Sequence, residues 1–479
     1  MAKLIEQLES VVGAGHVLSS EQVSQRATHF WDPSPMKGLA LVQPANTDEV
    51  SQILKICSAH HQPVVAHGGV TGLADGEKST EKDVILSLER MHDIESLDTV
   101  NRTMTVQAGC VLQTVQQAAT DAGLFYGLDL GARGSCTIGS NIATNAGGLS
   151  VLRYGMTREQ IIGLEVVLAD GTILSSLNTL MKDNTGYDLK QLFIGSEGTL
   201  GIVTRAVLRL RTDTPNCNTA LVSFTNFEQV TAALAHITRE LNSNLNAVEI
   251  LWNDYYRLST NPQIAGSTRS PMRVDAFAYA IIETRGTQQK TDQLQFIQAL
   301  ETAIENNLID DAVIAKSEKE RAEIWRIREN VDLTLRHQPL FIYDISVRID
   351  EMQNYLNEIR TVLRQRWPDV IVYAYGHLAD NNLHVSIAPE PHNFINDTGQ
   401  QPVKIQSYNA TQREWYEHCN QVVFERLSKL GGSISAEHGI GMLKKHYLRY
   451  SRSPEEISTM QLLKHTLDPL NILNPGKVC

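Results

Sequence analysis

The sequence has no closely paired cysteines and no long hydrophobic run. Its cysteines are scattered, with no C-x-x-C pair, at Cys57, Cys110, Cys136, Cys217, Cys419 and Cys479. This spacing predicts neither a disulfide framework nor a thiolate zinc site. No apolar stretch approaches the ~18 residues that a membrane-spanning helix needs, and the acidic, amphipathic start lacks the apolar centre of a signal peptide. We therefore expect a soluble protein of the cytoplasm.

Basic residues are in the minority, with 42 Lys and Arg against 54 Asp and Glu, so the formal charge is −12. This negative net charge repels nucleic acids and anionic membranes on average, and we expect neither as the main partner. Two common nucleotide motifs are also missing from the sequence. There is no G-x-G-x-x-G between a strand and a helix and no G-x-x-x-x-G-K-[ST], which disfavours a classical dinucleotide fold and a Walker NTPase.

The chain is long enough for two or three domains, with 479 residues of which 42% are hydrophobic. Helix and strand patterns alternate over the first 210 residues, where Thr47 is predicted to cap a helix and Asp170-Gly171 to turn a hairpin. The polar, proline-containing stretch 212–216 is the predicted boundary. Beyond it, glycine becomes rarer and longer helices are predicted at 227–242 and 288–306. This pattern predicts an α+β protein.

Glycine is concentrated with small polar residues in three segments, 67–73, 134–141 and 195–202. Glycine lets backbone N–H groups approach an anion closely and adopt anion-binding conformations. The neighbouring hydroxyl and amide side chains add neutral hydrogen bonds, which suits a diphosphate and the polar edge of a flat cofactor. One such segment alone would be interpreted as a tight turn. Three in one domain favour a cofactor site.

Histidine and carboxylate side chains cluster in the second half. Residues 373–377 and 383–387 have strand patterns around a polar turn, so His377 and His384 are predicted to meet across a hairpin. Further on, Glu437 precedes His438 on a glycine-flanked turn. Two imidazoles and a carboxylate suit a divalent metal with open coordination positions, such as zinc, manganese or cobalt. Because a chain with 15 histidines contains some pairs by chance, spacing alone leaves the metal open.

The glycine segments resemble a known family. The runs 63–73, 137–139, 145–148 and 195–201 are similar, in order and spacing, to the FAD domain of the vanillyl-alcohol oxidase superfamily. Members with covalent flavin often carry a histidine directly after the paired glycines, where this chain has Val70. The resemblance therefore implies non-covalent FAD, with the pyrophosphate on backbone amides near Gly68. The cofactor-binding residues that it implies are His67, Gly68, Gly69, Thr71, Gly72, Leu73, Ser135, Thr137, Ile138, Ser140, Asn141, Asn145, Glu197, Ile202 and Asn474.

The histidine segments point to one branch of this superfamily. Residues 376–384 and 436–441 are similar to the metal motifs of FAD-linked D-2-hydroxyacid dehydrogenases. The resemblance implies that His377, His384 and Glu437 bind a divalent metal, zinc in the first instance, and that His438 is the general base. It also implies that Arg328 and Ser386 bind substrate.

The same resemblance implies a fold and domain order. We expect a two-subdomain FAD-binding domain at 1–213, an α+β substrate-binding cap domain at 214–430, and a C-terminal segment at 431–479 that returns to the flavin. The expected reaction is oxidation of a D-2-hydroxy acid to the 2-oxo acid by hydride transfer to flavin. We expect electrons to pass to an electron-transfer flavoprotein or a quinone rather than to NAD. A peripheral association with a membrane electron-transfer chain and a homodimer are left open.

Three positions depart from the D-2-hydroxyglutarate enzymes, which carry a threonine, a lysine and an asparagine where this chain has Asp332, Ile342 and Ser386. These changes lower the positive charge available to a dicarboxylate and bring D-lactate or a more apolar acid such as D-mandelate into consideration. Three alternatives remain open: an oxidase that uses oxygen, a metal-dependent hydrolase without flavin, and a non-catalytic flavin electron-transfer protein.

Overall fold

The computed structural model describes residues 2–29, 32–264, 266, 268–390 and 408–479. The chain divides into two compact units. The first contains Met1–Gly148, Tyr154–Asp213 and Glu437–Cys479, and the second contains Leu149–Arg153 and Thr214–Ala436. The unit changes at Asp213, where the sequence predicts a boundary, whereas residues 431–436 group with the second unit rather than with the tail.

The strands found in the described residues have the following bounds. They are β1 (Val17–Ser19), β2 (Ala27–His29), β3 (Asp32–Pro35), β4 (Ala40–Val42), β5 (Val64–His67), β6 (Val84–Ser87), β7 (Ile94–Asp98), β8 (Thr103–Gln107), β9 (Leu124–Phe125), β10 (Ile161–Val167), β11 (Ile173–Ser176), β12 (Ile202–Arg209), β13 (Arg211–Thr212), β14 (Asn216–Phe224), β15 (Leu245–Trp252), β16 (Ala278–Gly286), β17 (Asp311–Ile314), β18 (Phe341–Ser346), β19 (Ile371–His377) and β20 (Asn382–Ala388).

The α-helices of the same residues alternate with these strands. They are α1 (Ala2–Val12), α2 (Ser20–Val23), α3 (Thr47–Ala59), α4 (Leu112–Asp121), α5 (Ile138–Thr144), α6 (Val151–Tyr154), α7 (Thr157–Gln160), α8 (Lys190–Phe193), α9 (Phe227–Leu241), α10 (Asn253–Thr260), α11 (Gln289–Glu305), α12 (Glu318–Glu329), α13 (Met352–Arg366), α14 (Ala410–Lys429) and α15 (Pro454–Leu467). Among the described residues, none of the helices combines the length and the hydropathy needed to cross a membrane.

The first unit contains two larger sheets. One has the order β1-β4-β6-β5, with β4 and β5 parallel to β6, and the other has the order β11-β10-β12-β8-β7 and is antiparallel throughout. Helix α3 buries Val50, Ile53 and Leu54 in the core that it shares with the sheets. The N-cap of α3 is Asn46, one residue before the predicted Thr47. Asn46 accepts the Glu49 N–H, whereas Thr47 donates to the Glu165 carboxylate.

The second unit is built on one antiparallel sheet with the order β17-β14-β16-β15-β19-β20-β18. Strands β19 and β20 form the predicted hairpin, with Tyr375 opposite His384. Strand β15 lies between β16 and β19, and this order places Glu249 directly opposite His377. The candidate substrate and metal residues therefore come from strands that are far apart in the sequence.

Candidate active site

The first glycine segment follows β5 and packs against the second. A Cβ on Gly68 would overlap the hydroxyl groups of Ser140 and Thr137, and one on Gly69 would overlap the Ser135 carbonyl. The two hydroxyl groups lie 3.0 Å apart, and Ser140 Oγ also accepts the Gly69 N–H at 3.4 Å. Two of the three predicted cofactor segments are thus in contact, at a point where only glycine fits.

Several buried polar groups of this unit fit a polar ligand. Asn141 Nδ2 and Lys477 Nζ are buried and have no hydrogen-bond partner among the described residues. Burial lowers the pKa of Lys477 to about 8 and raises the pKa of Glu77 to about 7. Burial also lowers the pKa of His67 to about 4, and this ring bonds to the Glu77 carbonyl at 2.7 Å. His67 is therefore a neutral, buried group at pH 7.

The third glycine segment attaches the C-terminal tail to the first unit. Glu197 has a left-handed backbone, with φ at +52°, and its carboxylate accepts the N–H groups of Ile440 at 2.7 Å and Gly441 at 2.8 Å. Asn474 donates to the Glu197 carbonyl and accepts from Ala66 N–H. Both predicted residues thus hold the tail that carries His438, while Ile202 lies in the hydrophobic core.

The remaining predicted residues of this unit differ in exposure. Thr137 and Ile138 are buried, Thr71, Gly72 and Asn145 are half-buried, and Leu73 and Ser135 are exposed. Asn145 adopts a left-handed conformation at the end of α5, and its side chain accepts the Arg158 N–H at 2.9 Å. Their contacts with a cofactor stay a prediction.

In the second unit, the hairpin brings His377 and His384 together. Their ring centroids lie 5.4 Å apart, and both residues are buried. His377 Nδ1 contacts Glu249 Oε1 at 2.6 Å, so Nε2 is the ring atom that a metal would bind. Ala436, just before Glu437 in the chain, donates its N–H to the Asp344 carbonyl, opposite His384 in the β18–β20 register. The two imidazoles fit a divalent cation by geometry and by donor chemistry.

Arg328 reaches the same face of the sheet from α12. Its Nε donates to Glu249 Oε2 at 2.8 Å, and its guanidinium lies 4.7 Å from the centre of the Tyr375 ring. Burial alone would raise the pKa of Glu249, but its interactions with His377 and Arg328 outweigh burial and hold this pKa below its usual range. The carboxylate is therefore ionised at neutral pH.

Two positions that depart from the family pattern, Ile342 and Ser386, lie further along the sheet, and the third, Asp332, lies in the 3-10 helix Val331–Arg336. Ile342 on edge strand β18 is opposite Ser386 and is 48% exposed, whereas Ser386 is fully buried. Ser386 Oγ has no hydrogen-bond partner among the described residues, and Asp332 is exposed. The Ile342–Ser386 pair of this sheet is therefore uncharged.

Sequence reasoning missed Glu249, Glu77 and Lys477. A detectable signal existed for Glu249, which is the lone charge within the apolar run 247–251. Lys477 lies in the C-terminal segment that is predicted to return to the flavin, but it is not among the predicted cofactor-binding residues. Nothing local marks Glu77.

Comparison with known proteins agrees with this geometry. An FAD-binding domain model matches residues 38–176, and the model of the C-terminal domain of FAD-linked oxidases matches residues 214–478. The chain belongs to the FAD-linked oxidase family. It is 37% identical to a D-2-hydroxyglutarate dehydrogenase of Xanthomonas citri pv. viticola, over 94% of this chain and 90% of that protein. It is 34% identical to that of Stutzerimonas stutzeri, over 99% and 98%.

Solved structures show the same fold. p-Cresol methylhydroxylase matches with a TM-score of 0.76 at 17% identity, covering 100% of this chain and 96% of that chain. The 4-ethylphenol oxidase of Gulosibacter chungangensis matches with a TM-score of 0.73 at 18% identity, covering 100% and 96%. These findings confirm the predicted vanillyl-alcohol oxidase fold and the D-2-hydroxyacid dehydrogenase branch. The protein is an FAD-linked oxidoreductase, which removes the hydrolase alternative. One mitochondrial relative, from Arabidopsis thaliana, is 36% identical over 100% of this chain and 81% of that protein.

Proposed function

We propose that this enzyme oxidises a D-2-hydroxy acid to the 2-oxo acid with the help of a divalent metal and passes the electrons to an acceptor other than NAD. The main support is the convergence of Arg328, His377 and His384 on one face of the second unit's sheet. An arginine fork suits a carboxylate, and paired imidazoles suit a metal that binds the adjacent hydroxyl. Together they match the two functional groups that every 2-hydroxy acid carries.

Each part of the chain has a distinct proposed role. The three glycine segments would hold FAD, which would supply the hydride acceptor for C2 of the substrate. His377, His384 and Glu437 would hold the metal, which would supply Lewis acidity toward the substrate hydroxyl. His438 accepts the proton from that hydroxyl oxygen, and Arg328 orients the carboxylate. Two electrons and one proton leave as hydride, a second proton goes to His438, and the 2-oxo acid remains.

The names of the relatives favour D-2-hydroxyglutarate as the substrate, but a second candidate has specific support. Ile342 replaces a lysine and Ser386 an asparagine of the D-2-hydroxyglutarate enzymes, so the face loses a cation where a second carboxylate would bind. A D-2-hydroxy monocarboxylate such as D-lactate or D-mandelate suits these residues. An electron-transfer flavoprotein or a quinone is the proposed acceptor, and a cytoplasmic location remains a prediction.

An anaerobic visible spectrum tests the reaction. The purified holoenzyme is titrated with D- and L-forms of 2-hydroxyglutarate, lactate and mandelate, and we expect one D-acid to bleach the flavin band while its L-form does not. His438→Ala should retain the flavin spectrum and lose bleaching by on the order of a hundredfold or more, because general base catalysis contributes about that much. Unchanged bleaching in this variant would refute the assigned role.

Metal analysis tests the proposed metal site separately. We expect about one divalent ion per chain in the wild-type protein and a large loss of that ion in His384→Ala, because a removed ligand leaves an incomplete site. His418 on helix α14 is a matched control, because its ring packs against Trp367 and not against the candidate metal residues. His418→Ala should therefore keep the metal. Equal metal content in both variants would contradict the assignment.

A further inference from the structure

Glu249 is a charged residue in an apolar setting. Its side chain is 1% exposed, in the middle of β15, between Val248 and Ile250, which are also buried. A buried carboxylate is costly unless charged or hydrogen-bonding partners surround it. Its position therefore points to a role that a hydrophobic side chain could not fill.

Both oxygens of Glu249 are bound by residues of the candidate site. Oε2 accepts from Arg328 Nε at 2.8 Å, and Oε1 contacts His377 Nδ1 at 2.6 Å. The two partners come from α12 and β19, which lie 79 and 128 residues from Glu249 in the sequence. A single carboxylate thus spans the arginine proposed for the substrate and a histidine proposed for the metal.

Glu249 contacts one nitrogen of each partner, Nδ1 of His377 and Nε of Arg328. A carboxylate on Nδ1 fixes the ring orientation and tautomer of a histidine, so that Nε2 carries the lone pair for a metal. Bonding through Nε leaves the two Nη groups of Arg328 as the paired fork that a carboxylate accepts end-on. The Arg328 guanidinium also lies over the Tyr375 ring, with its carbon 4.7 Å from the ring centre.

We infer that Glu249 is a positioning residue that couples metal binding to recognition of the substrate carboxylate. The inference rests on the proposed function, because it needs the metal on His377 and the substrate on Arg328. It predicts that one substitution weakens two binding events which involve different ligands. A purely structural role predicts a loss of stability alone.

The chain provides a matched control on the same sheet. Glu283 is 3% exposed on β16, and its carboxylate accepts from Arg321 Nε at 3.0 Å and from Trp325 Nε1 at 2.7 Å. Glu283 pairs with Ala247 of β15, which is two residues from Glu249. Because alternate residues of a strand lie on one face, both carboxylates are on the face that packs against α12. No described contact joins Glu283 to a histidine. A general effect of losing a buried carboxylate should therefore be equal in both variants.

The test compares Glu249→Gln with Glu283→Gln in the full-length flavin-loaded enzyme. Zn²⁺ affinity is measured by competition with a chromophoric chelator, and affinity for the 2-oxo acid by perturbation of the oxidised flavin spectrum. Glu249→Gln should weaken Zn²⁺ binding by about 10- to 100-fold, the range typical of residues that orient metal ligands. It should also raise the Kd of the 2-oxo acid by on the order of tenfold, whereas Glu283→Gln should leave both within about twofold.

The outcomes separate the inference from the proposed function. If the wild-type enzyme binds Zn²⁺ and a D-acid bleaches its flavin, but Glu249→Gln keeps both affinities, the coupling role is wrong and the function stands. If the wild-type enzyme binds no Zn²⁺, the proposed metal and the inference fail together. Should the glutamine variant not fold, Glu249→Asp keeps the charge but shortens the reach, and unchanged affinities in that variant would equally overturn the inference.

Discussion

Helix α12 is joined to the seven-stranded sheet by two buried ion pairs of the same kind. Near its start, Arg321 Nε donates to Glu283, and seven residues later Arg328 Nε donates to Glu249. Both carboxylates are almost fully buried, but Arg321 is 30% exposed and Arg328 only 8%. The pairs lie about 10 Å apart along the helix axis, given a rise of about 1.5 Å per residue.

The third partner distinguishes the two pairs. Besides Arg321, Glu283 accepts from three neutral donors, the Trp325 indole, the Thr219 hydroxyl and the Asn246 amide. Besides Arg328, Glu249 contacts His377. The first arrangement only satisfies a buried charge. The second places a carboxylate between two groups of the candidate site. We therefore expect the Arg321–Glu283 pair to hold the helix on the sheet and the Arg328–Glu249 pair to serve the candidate site as well, and variants can test this difference.

The largest expected difference is between Arg328→Ala and Arg321→Ala. Removing Arg328 takes the permanently charged partner from the buried Glu249 carboxylate, and breaking a buried ion pair in this way typically costs about 3–5 kcal/mol in the free energy of unfolding. It also removes the proposed carboxylate fork, so kcat/KM should fall on the order of a thousandfold. Urea unfolding and steady-state kinetics with the D-acid measure the two quantities.

Arg321→Ala is the matched control. Arg321 is partly exposed and Glu283 keeps three neutral donors, so we expect a loss of about 1–2 kcal/mol and a kcat/KM close to the wild-type value. Equal losses of kcat/KM in the two variants would remove the functional distinction between the two ends of α12.

Local pattern was sufficient to predict much of this region. Apolar runs on both sides of the polar turn after His377 predicted the β19–β20 hairpin, and the resemblance indicated Arg328. These features depend on residues that are close in sequence, where turn chemistry and side-chain alternation are decisive. The two histidines were therefore correctly placed side by side.

The link through Glu249 could not be predicted in the same way. Its burial was detectable from the apolar run around it, but its partners depend on β15 lying between β16 and β19. Strand order is set by long-range packing of the whole sheet, and no local pattern encodes it. The helix cap at Asn46 illustrates the smaller kind of error, because Asn46 and Thr47 are both good caps and only backbone geometry decides between them.

A smaller effect is expected for the Arg321–Glu283 pair near the start of α12. Trp325→Phe keeps an aromatic ring but removes the N–H that binds the Glu283 carboxylate at 2.7 Å. Hydrogen bonds to charged groups contribute about 1.5–3 kcal/mol, so unfolding should become easier by roughly that amount while kcat/KM stays within about twofold. Trp252→Phe is the matched control, because Trp252 donates to the neutral Gln353 amide oxygen at 2.8 Å and should cost only about 0.5–1.5 kcal/mol. A large drop in kcat/KM for Trp325→Phe would mean that Glu283 also acts on the candidate site, and the contrast between the two ends of the helix would no longer hold.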